Sequence, residues 1–99
     1  MSSLSLDQYV VDVLMPDLVG HDRSPSAFLV YLYLWRMGGA KARAQVSFTT
    51  IAADTGLSKA SAQRAVAILK RRKLLTASKA SATAVPEYRV VRPWLGRMP

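Results

Sequence analysis

Cysteine is absent from this 99-residue chain, and histidine occurs once, at His21. Without cysteine there are no disulfides and no thiolate zinc sites, and an intracellular setting is permitted. His21 has Asp17 and Asp22 nearby, but a metal site needs more ligands than this group offers, so His21 reads as a loop residue. Acidic residues are also scarce: six Asp and Glu stand against 14 Lys and Arg, for a net charge of +8. The aspartates, at 7, 12, 17, 22 and 54, are dispersed, and no Ser/His/Asp or Cys/His set or glycine-rich phosphate loop accompanies them. The expectation is a protein that is not an enzyme and carries no cofactor. The longest apolar run, "AFLVYLYLW" from Ala27 to Trp35, falls far short of the ~20 residues that span a bilayer, so it reads as a buried helix and no membrane is expected. The N-terminal "MSSLSLDQYVVD" has no basic segment ahead of an apolar one, unlike a signal peptide, and a cytoplasmic protein is expected.

Just over half of the residues are apolar, and the length suits one small domain spanning residues 1–99. The charge is uneven. Residues 1–57 sum to −1, whereas Ser58 to Arg92 hold nine Lys and Arg against Glu87 alone. Such asymmetry points to a surface that faces a polyanion.

Local signals divide the chain. Ser5 and Gln8 fit a capping box, and Leu6, Tyr9/Val10 and Val13/Leu14 follow at helical spacing until Pro16, predicting an N-terminal helix over 5–15. Ser24-Pro25 starts a core helix over 24–37, ended by Gly38-Gly39 and apolar on nearly every side, so it needs cover from more than one element. "AKARAQ" reads as a polar linker, basic enough to touch an anion, and Val46 as a short strand. Two helices joined at Gly56-Leu57 then occupy 47–72. Two β-like segments with an Ala/Ser/Thr joint fill 74–92, and a tail over 93–99 docks Trp94 and Leu95 on the body.

The stretch 47–72 has the order a helix-turn-helix requires. Ile51 and Ala52 precede the glycine, which tolerates the positive φ of a tight turn. Ser58 then caps a second helix whose Ala62, Ala65/Val66 and Leu69 face inward. "IAADTGLSKASAQRAVAILKRRKLL" resembles the winged helix-turn-helix domains of bacterial transcription regulators, the GntR type most closely. The resemblance covers roughly Ser47 to Val91 and implies an α+β fold: a three-helix core, followed by a β-hairpin wing, here with an extra N-terminal helix. Two positions depart from the pattern. Thr55 stands where an apolar residue is usual, and Ala62 where valine is usual. The resemblance does not extend to the effector domain usual in that family, and no small-molecule effector is expected.

In a helix-turn-helix the second helix enters the DNA major groove with its N-terminal residues nearest the bases. That nominates Lys59, Ala60, Ser61, Gln63 and Arg64, with Arg64 suited to guanine and Gln63 to adenine. A solvated helix face is the plainer alternative for them. Ser58 serves as cap and as phosphate contact, since a helix N-terminus favours an anion. Ser47 and Thr49 open the preceding helix and bind phosphate similarly or simply cap it. "KRRK", Lys70 to Lys73, suits the helix dipole and attracts phosphate at most nonspecifically. Ile68, where a polar residue is usual, packs on the N-terminal helix or on a partner subunit. Lys79 and Arg89 would bring the wing to the DNA backbone or minor groove, or else sit on a solvated hairpin. "SKASA" occurs twice, at 58–62 and 78–82, in flanks that predict a helix for the first copy and a hairpin for the second. The reading is therefore a nucleoid-associated transcriptional regulator that binds double-stranded DNA, expected as a homodimer. A DNA-binding role in plasmid or phage replication or partition is one alternative. A winged-helix protein-interaction module is another. RNA binding lacks a set of stacking aromatics on the strands.

Overall fold

The computed structural model describes residues 3–39 and 43–97, so the Ala40–Ala42 part of the expected linker lies outside the described residues. The chain begins with two π-helical segments, Val10–Leu14 and Pro16–His21. They are followed by helix α1 (Pro25–Gly38), strand β1 (Arg43–Gln45), helix α2 (Phe48–Thr55) and helix α3 (Lys59–Arg71). Strands β2 (Leu75–Ser78) and β3 (Glu87–Val90) and a final 3₁₀ turn, Pro93–Arg97, complete it. The three strands form an antiparallel sheet in the order β1-β3-β2. This is a winged helix: three packed helices, a small sheet, and the β2–β3 hairpin as the wing.

The N-terminal helix differs from the sequence expectation at both ends. No side chain caps it, and helical backbone starts at Gln8 rather than at Ser5. The Ser5 carbonyl instead accepts the Trp35 indole N–H at 2.9 Å. At the other end, Pro16 does not stop the helical run, which continues to His21. The turns on either side are wide: the Met15 N–H reaches back five residues to the Val10 carbonyl, and Asp22 likewise to Asp17. Pro16 sits at the first position of the second segment, where its missing N–H costs least. Continuing the run buries Val10, Leu14 and Leu18 as one stripe at i, i+4, i+8. At roughly 1.5–3 kcal/mol per fully buried aliphatic side chain, that stripe outweighs the lost proline hydrogen bond.

Helix α1 is the centre of the core. Its Ala27, Phe28, Val30, Tyr31 and Leu34 are buried, as the all-round apolar sequence requires. Ser24 caps it, accepting the Ala27 N–H at 3.1 Å. The buried Tyr31 hydroxyl donates to the Val91 carbonyl at 3.0 Å, tying α1 to the end of β3. Gly38 is the last residue of α1, and a Cβ there would lie 2.7 Å from the Arg43 amide nitrogen, so glycine is what lets β1 start so close to the helix. Strand β1 lies just before Val46 rather than on it, with Val46 itself buried.

The two ends of the chain meet on one aromatic cluster. Trp94 stacks on Tyr9 with ring centroids 4.6 Å apart and lies parallel to Trp35 at 6.5 Å. Asp7 Oδ2 accepts from the Arg92 guanidinium at 2.5 and 3.0 Å and from the Trp94 indole at 3.0 Å. Arg92 in turn lies over the Trp35 ring, 5.0 Å from its centre. Hydrogen bonding to Arg92 holds the Asp7 carboxyl below its ordinary pKa, against a smaller opposing effect of desolvation. Trp94 thus docks on the body. Leu95, expected to dock beside it, remains half exposed.

Candidate nucleic-acid interface

Helix α3 divides cleanly into two faces. Ala62, Ala65, Val66 and Leu69 are buried against α1 and α2. Ala60, Arg64, Ala67 and Arg71 form the opposite stripe, flanked by Lys59, Gln63 and Lys70, and all seven are exposed. The exposed face carries four cations and no carboxylate, because α3 contains no Asp or Glu. The alanines within it leave the backbone open to close approach by another molecule.

The turn that aims this face is held locally. Gly56 ends α2 with φ of +82°, a left-handed conformation that costs a residue with a Cβ about 1–2 kcal/mol. Thr55, which departs from the usual apolar residue, donates its hydroxyl to the Ile51 carbonyl at 2.7 Å and accepts the Leu57 N–H at 3.3 Å. Its hydroxyl therefore bridges the helix end and the turn. Leu57 and Ile68 pack against the common core from its edge.

The nominated polar residues fall into distinct settings. Ser58 accepts the Ser61 N–H at 3.0 Å and donates its own proton to Ser61 Oγ at 3.0 Å. Arg64 donates to the same Ser61 oxygen at 3.3 Å, which draws its guanidinium along the helix toward the N-terminus. Ser58, Ser61 and Arg64 are thus linked, and Lys59, Ala60 and Gln63 stand exposed around them. Ser47 repeats the pattern one helix earlier, accepting the Thr50 N–H and donating to Thr50 Oγ1, both at 3.1 Å. Both serine hydroxyls are engaged as caps in the free chain. Thr49 is exposed on the first turn of α2.

Lys79 begins the connection after β2, and Arg89 is on β3; both are exposed. Tyr88 and Val90, on either side of Arg89, are buried, so the strand alternates as its sequence suggests. Gln45 donates to the Val85 carbonyl at 3.3 Å and ties the wing loop to β1. A cleft of about 240 Å³ opens between α3 and the wing, with Lys70 and Lys79 in its lining beside Phe48 and Val66.

The four residues of "KRRK" have separate fates that spacing did not reveal. Lys70 lines the cleft, and Arg71 lies on the exposed stripe. Arg72 turns away from α3's polar face and pairs with Asp22 at 2.7 Å and with Asp17. It fastens the N-terminal segment to the end of α3. Lys73 has a positive φ of 60° and occupies the position where glycine usually ends a helix. Asp17, His21 and Asp22 do converge, with one ligand atom of each within 4.8 Å of the others. Both carboxylates are already engaged by Arg72, and His21 Nδ1 lies 3.0 Å from Asp22 and 4.0 Å from Asp17. A cation there would have to displace the arginine.

Residues 24–75, more than half of the chain, match the helix-turn-helix domain family. The chain belongs to that family. The match runs from the cap of α1 through α2, the Gly56 turn and α3 into β2, so the helix-turn-helix domain includes the central core helix as well as the motif itself. Modules of this kind bind DNA by laying the second helix of the motif in the major groove. No curated protein and no solved structure matches the chain. Among the described residues, no helix of the domain is long and apolar enough to cross a membrane.

Proposed function

We propose that this helix-turn-helix domain is a sequence-specific double-stranded DNA-binding protein that regulates transcription, as the resemblance to GntR-type regulators suggests. The observation that carries the reading is the exposed, carboxylate-free face of α3, presented by a buried opposite face and a fixed left-handed turn. Gln63 and Arg64 read base edges, Arg64 toward guanine and Gln63 toward adenine. Lys59, Ala60 and Ser61 line the approach, and Ser47, Thr49 and Ser58 meet phosphates at two helix N-termini. Lys79 and Arg89 bring the wing to the backbone. Phosphate contacts supply most of the affinity, and the two base readers supply the discrimination.

The functional unit is a homodimer built from the whole chain. One module reads few base pairs, and two-fold pairing doubles the site. Val11, Met15 and Val19, at i, i+4, i+8 on the N-terminal segments, are exposed, as are Leu29 and Met37 on α1. These apolar side chains make the N-terminal segments and α1 the surface through which two copies pair.

Selection of bound sequences from random duplex DNA, followed by a salt titration on the winner, tests the proposal. A palindromic winner with a steep salt dependence is expected. No enrichment over random sequence would remove sequence-specific binding.

A further inference from the structure

The outer face of the sheet carries a charge arrangement that the helix-turn-helix motif does not explain. Arg43 on β1 stands directly opposite Arg89 on β3, and Thr76 on β2 stands opposite Arg89 from the other side. All three are exposed and form one row across the sheet. Of their neighbours along the strands, Ala44, Leu75, Tyr88 and Val90 are buried on the other face and Ala77 is exposed. Directly opposed side chains in an antiparallel pair have Cβ atoms only about 5 Å apart, and like charges so placed destabilise the sheet. Among the described residues, no carboxylate lies within ion-pair distance of either guanidinium. Glu87 is on the same face but in the next row, opposite Gln45 and Ser78.

We infer that the row Arg43–Arg89–Thr76 is a phosphate-binding site on the back of the wing, occupied by the sugar–phosphate backbone of bound DNA. The inference rests on the DNA-binding reading above and adds Arg43 and Thr76 to it. Two guanidinium forks and a hydroxyl are all donors suited to the oxygens of one phosphodiester. A bound anion also removes the repulsion that the free protein carries. The neighbouring row favours phosphate over an acidic peptide. A peptide laid along the strand would meet the Glu87 carboxylate about 7 Å further on, whereas a backbone crossing the strands meets only the arginine row.

Thermal unfolding and duplex binding of the full chain test this together. The variants are Arg43→Gln, Arg43→Lys, which keeps the charge but loses the fork, and Arg36→Gln, which removes a cation from exposed α1 surface. Without phosphate, Arg43→Gln should melt roughly 1–8 °C above the parent, from relief of the opposed charges. Inorganic phosphate, at ionic strength matched with chloride, should raise the melting temperature of the parent and of Arg36→Gln. It should do so less for Arg43→Lys and not for Arg43→Gln. On duplex DNA, the slope of log K against log salt should fall by about 0.9 for Arg43→Gln and stay unchanged for Arg36→Gln. Equal phosphate stabilisation of all four proteins would overturn the site, as would equal slopes for the two glutamine variants. If the parent binds no duplex but phosphate still stabilises it through Arg43, the DNA-binding reading and this ligand both fail while an anion site remains. Binding to poly-glutamate that Arg43→Gln abolishes, with the duplex slope unchanged, would assign the row to an acidic protein segment and overturn the inference.

Discussion

The helix-turn-helix depends on how two helices end, and the two ends make opposite predictions. Helix α2 ends in Gly56 at φ of +82°, and α3 is followed by Lys73 at φ of 60°. Both are in the left-handed region, where a Cβ costs about 1–2 kcal/mol. Gly56 avoids that cost and Lys73 bears it. A Cβ added at Gly56 meets no atom within 4 Å, so Gly56→Ala carries the conformational cost without a clash. It should lose about 1–2 kcal/mol, or roughly 4–16 °C in melting temperature for a domain of this size. Gly56→Asn should lose less, because asparagine visits this region more readily. Lys73→Gly should gain, by up to about 1 kcal/mol, since relief of strain is partly offset by the greater freedom of glycine in the unfolded chain. The backbone hydrogen bonds there, Lys73 N–H to Lys70 and Leu74 N–H to Leu69, do not involve the lysine side chain. Denaturant unfolding of the three variants gives the comparison. A neutral Gly56→Ala, or a shift of the same sign at both positions, would refute the left-handed ends and with them the geometry that aims α3.

Three further perturbations probe other parts of the structure. Arg72→Ala leaves Asp17 and Asp22 without their cation and should cost about 1–3 kcal/mol in denaturant unfolding, whereas a change within 0.5 kcal/mol would mean that the Arg72 pairs do not help to hold the N-terminal segment. The Tyr33 hydroxyl, which donates to Asp54 at 2.6 Å, is pushed up to about 12 by burial first and by Asp54 second. Its stabilising contribution is complete below pH 10 and is lost as pH rises toward 12, so Tyr33→Phe should remove a step from the alkaline unfolding profile; an unchanged profile would contradict the Tyr33–Asp54 contact. Arg64→Ala should cost about 1–3 kcal/mol on the preferred duplex and relax specificity at one position, whereas equal weakening on every sequence would make Arg64 a phosphate contact only.

Much of this was legible in the sequence because it is local. The Ser24, Ser47 and Ser58 caps, the Gly56 turn and the two faces of α3 follow from neighbouring residues, and each is present as hydrogen bonds or dihedral angles. Where the sequence misled, distant partners decided. Pro16 would end an isolated helix, yet burial of Leu14 and Leu18 carries the run past it. Arg72 looks like part of a basic cluster, and only the fold brings it to aspartates some fifty positions away. The opposed arginines Arg43 and Arg89 are invisible without strand register. The two copies of "SKASA" make the point directly: Ser58 caps a helix, whereas Ser78 ends strand β2 opposite Glu87.

The central claim is that the N-terminal half of α3 and the wing form one DNA-facing surface. Backbone amide shifts of the labelled chain, followed during titration with the duplex that selection favours, test it most directly. The largest changes are expected at Ser58 to Arg64 and around Lys79 and Arg89, with little change at Val11, Met15 and Val19. Changes confined to that apolar N-terminal face, with α3 and the wing unmoved, would contradict it.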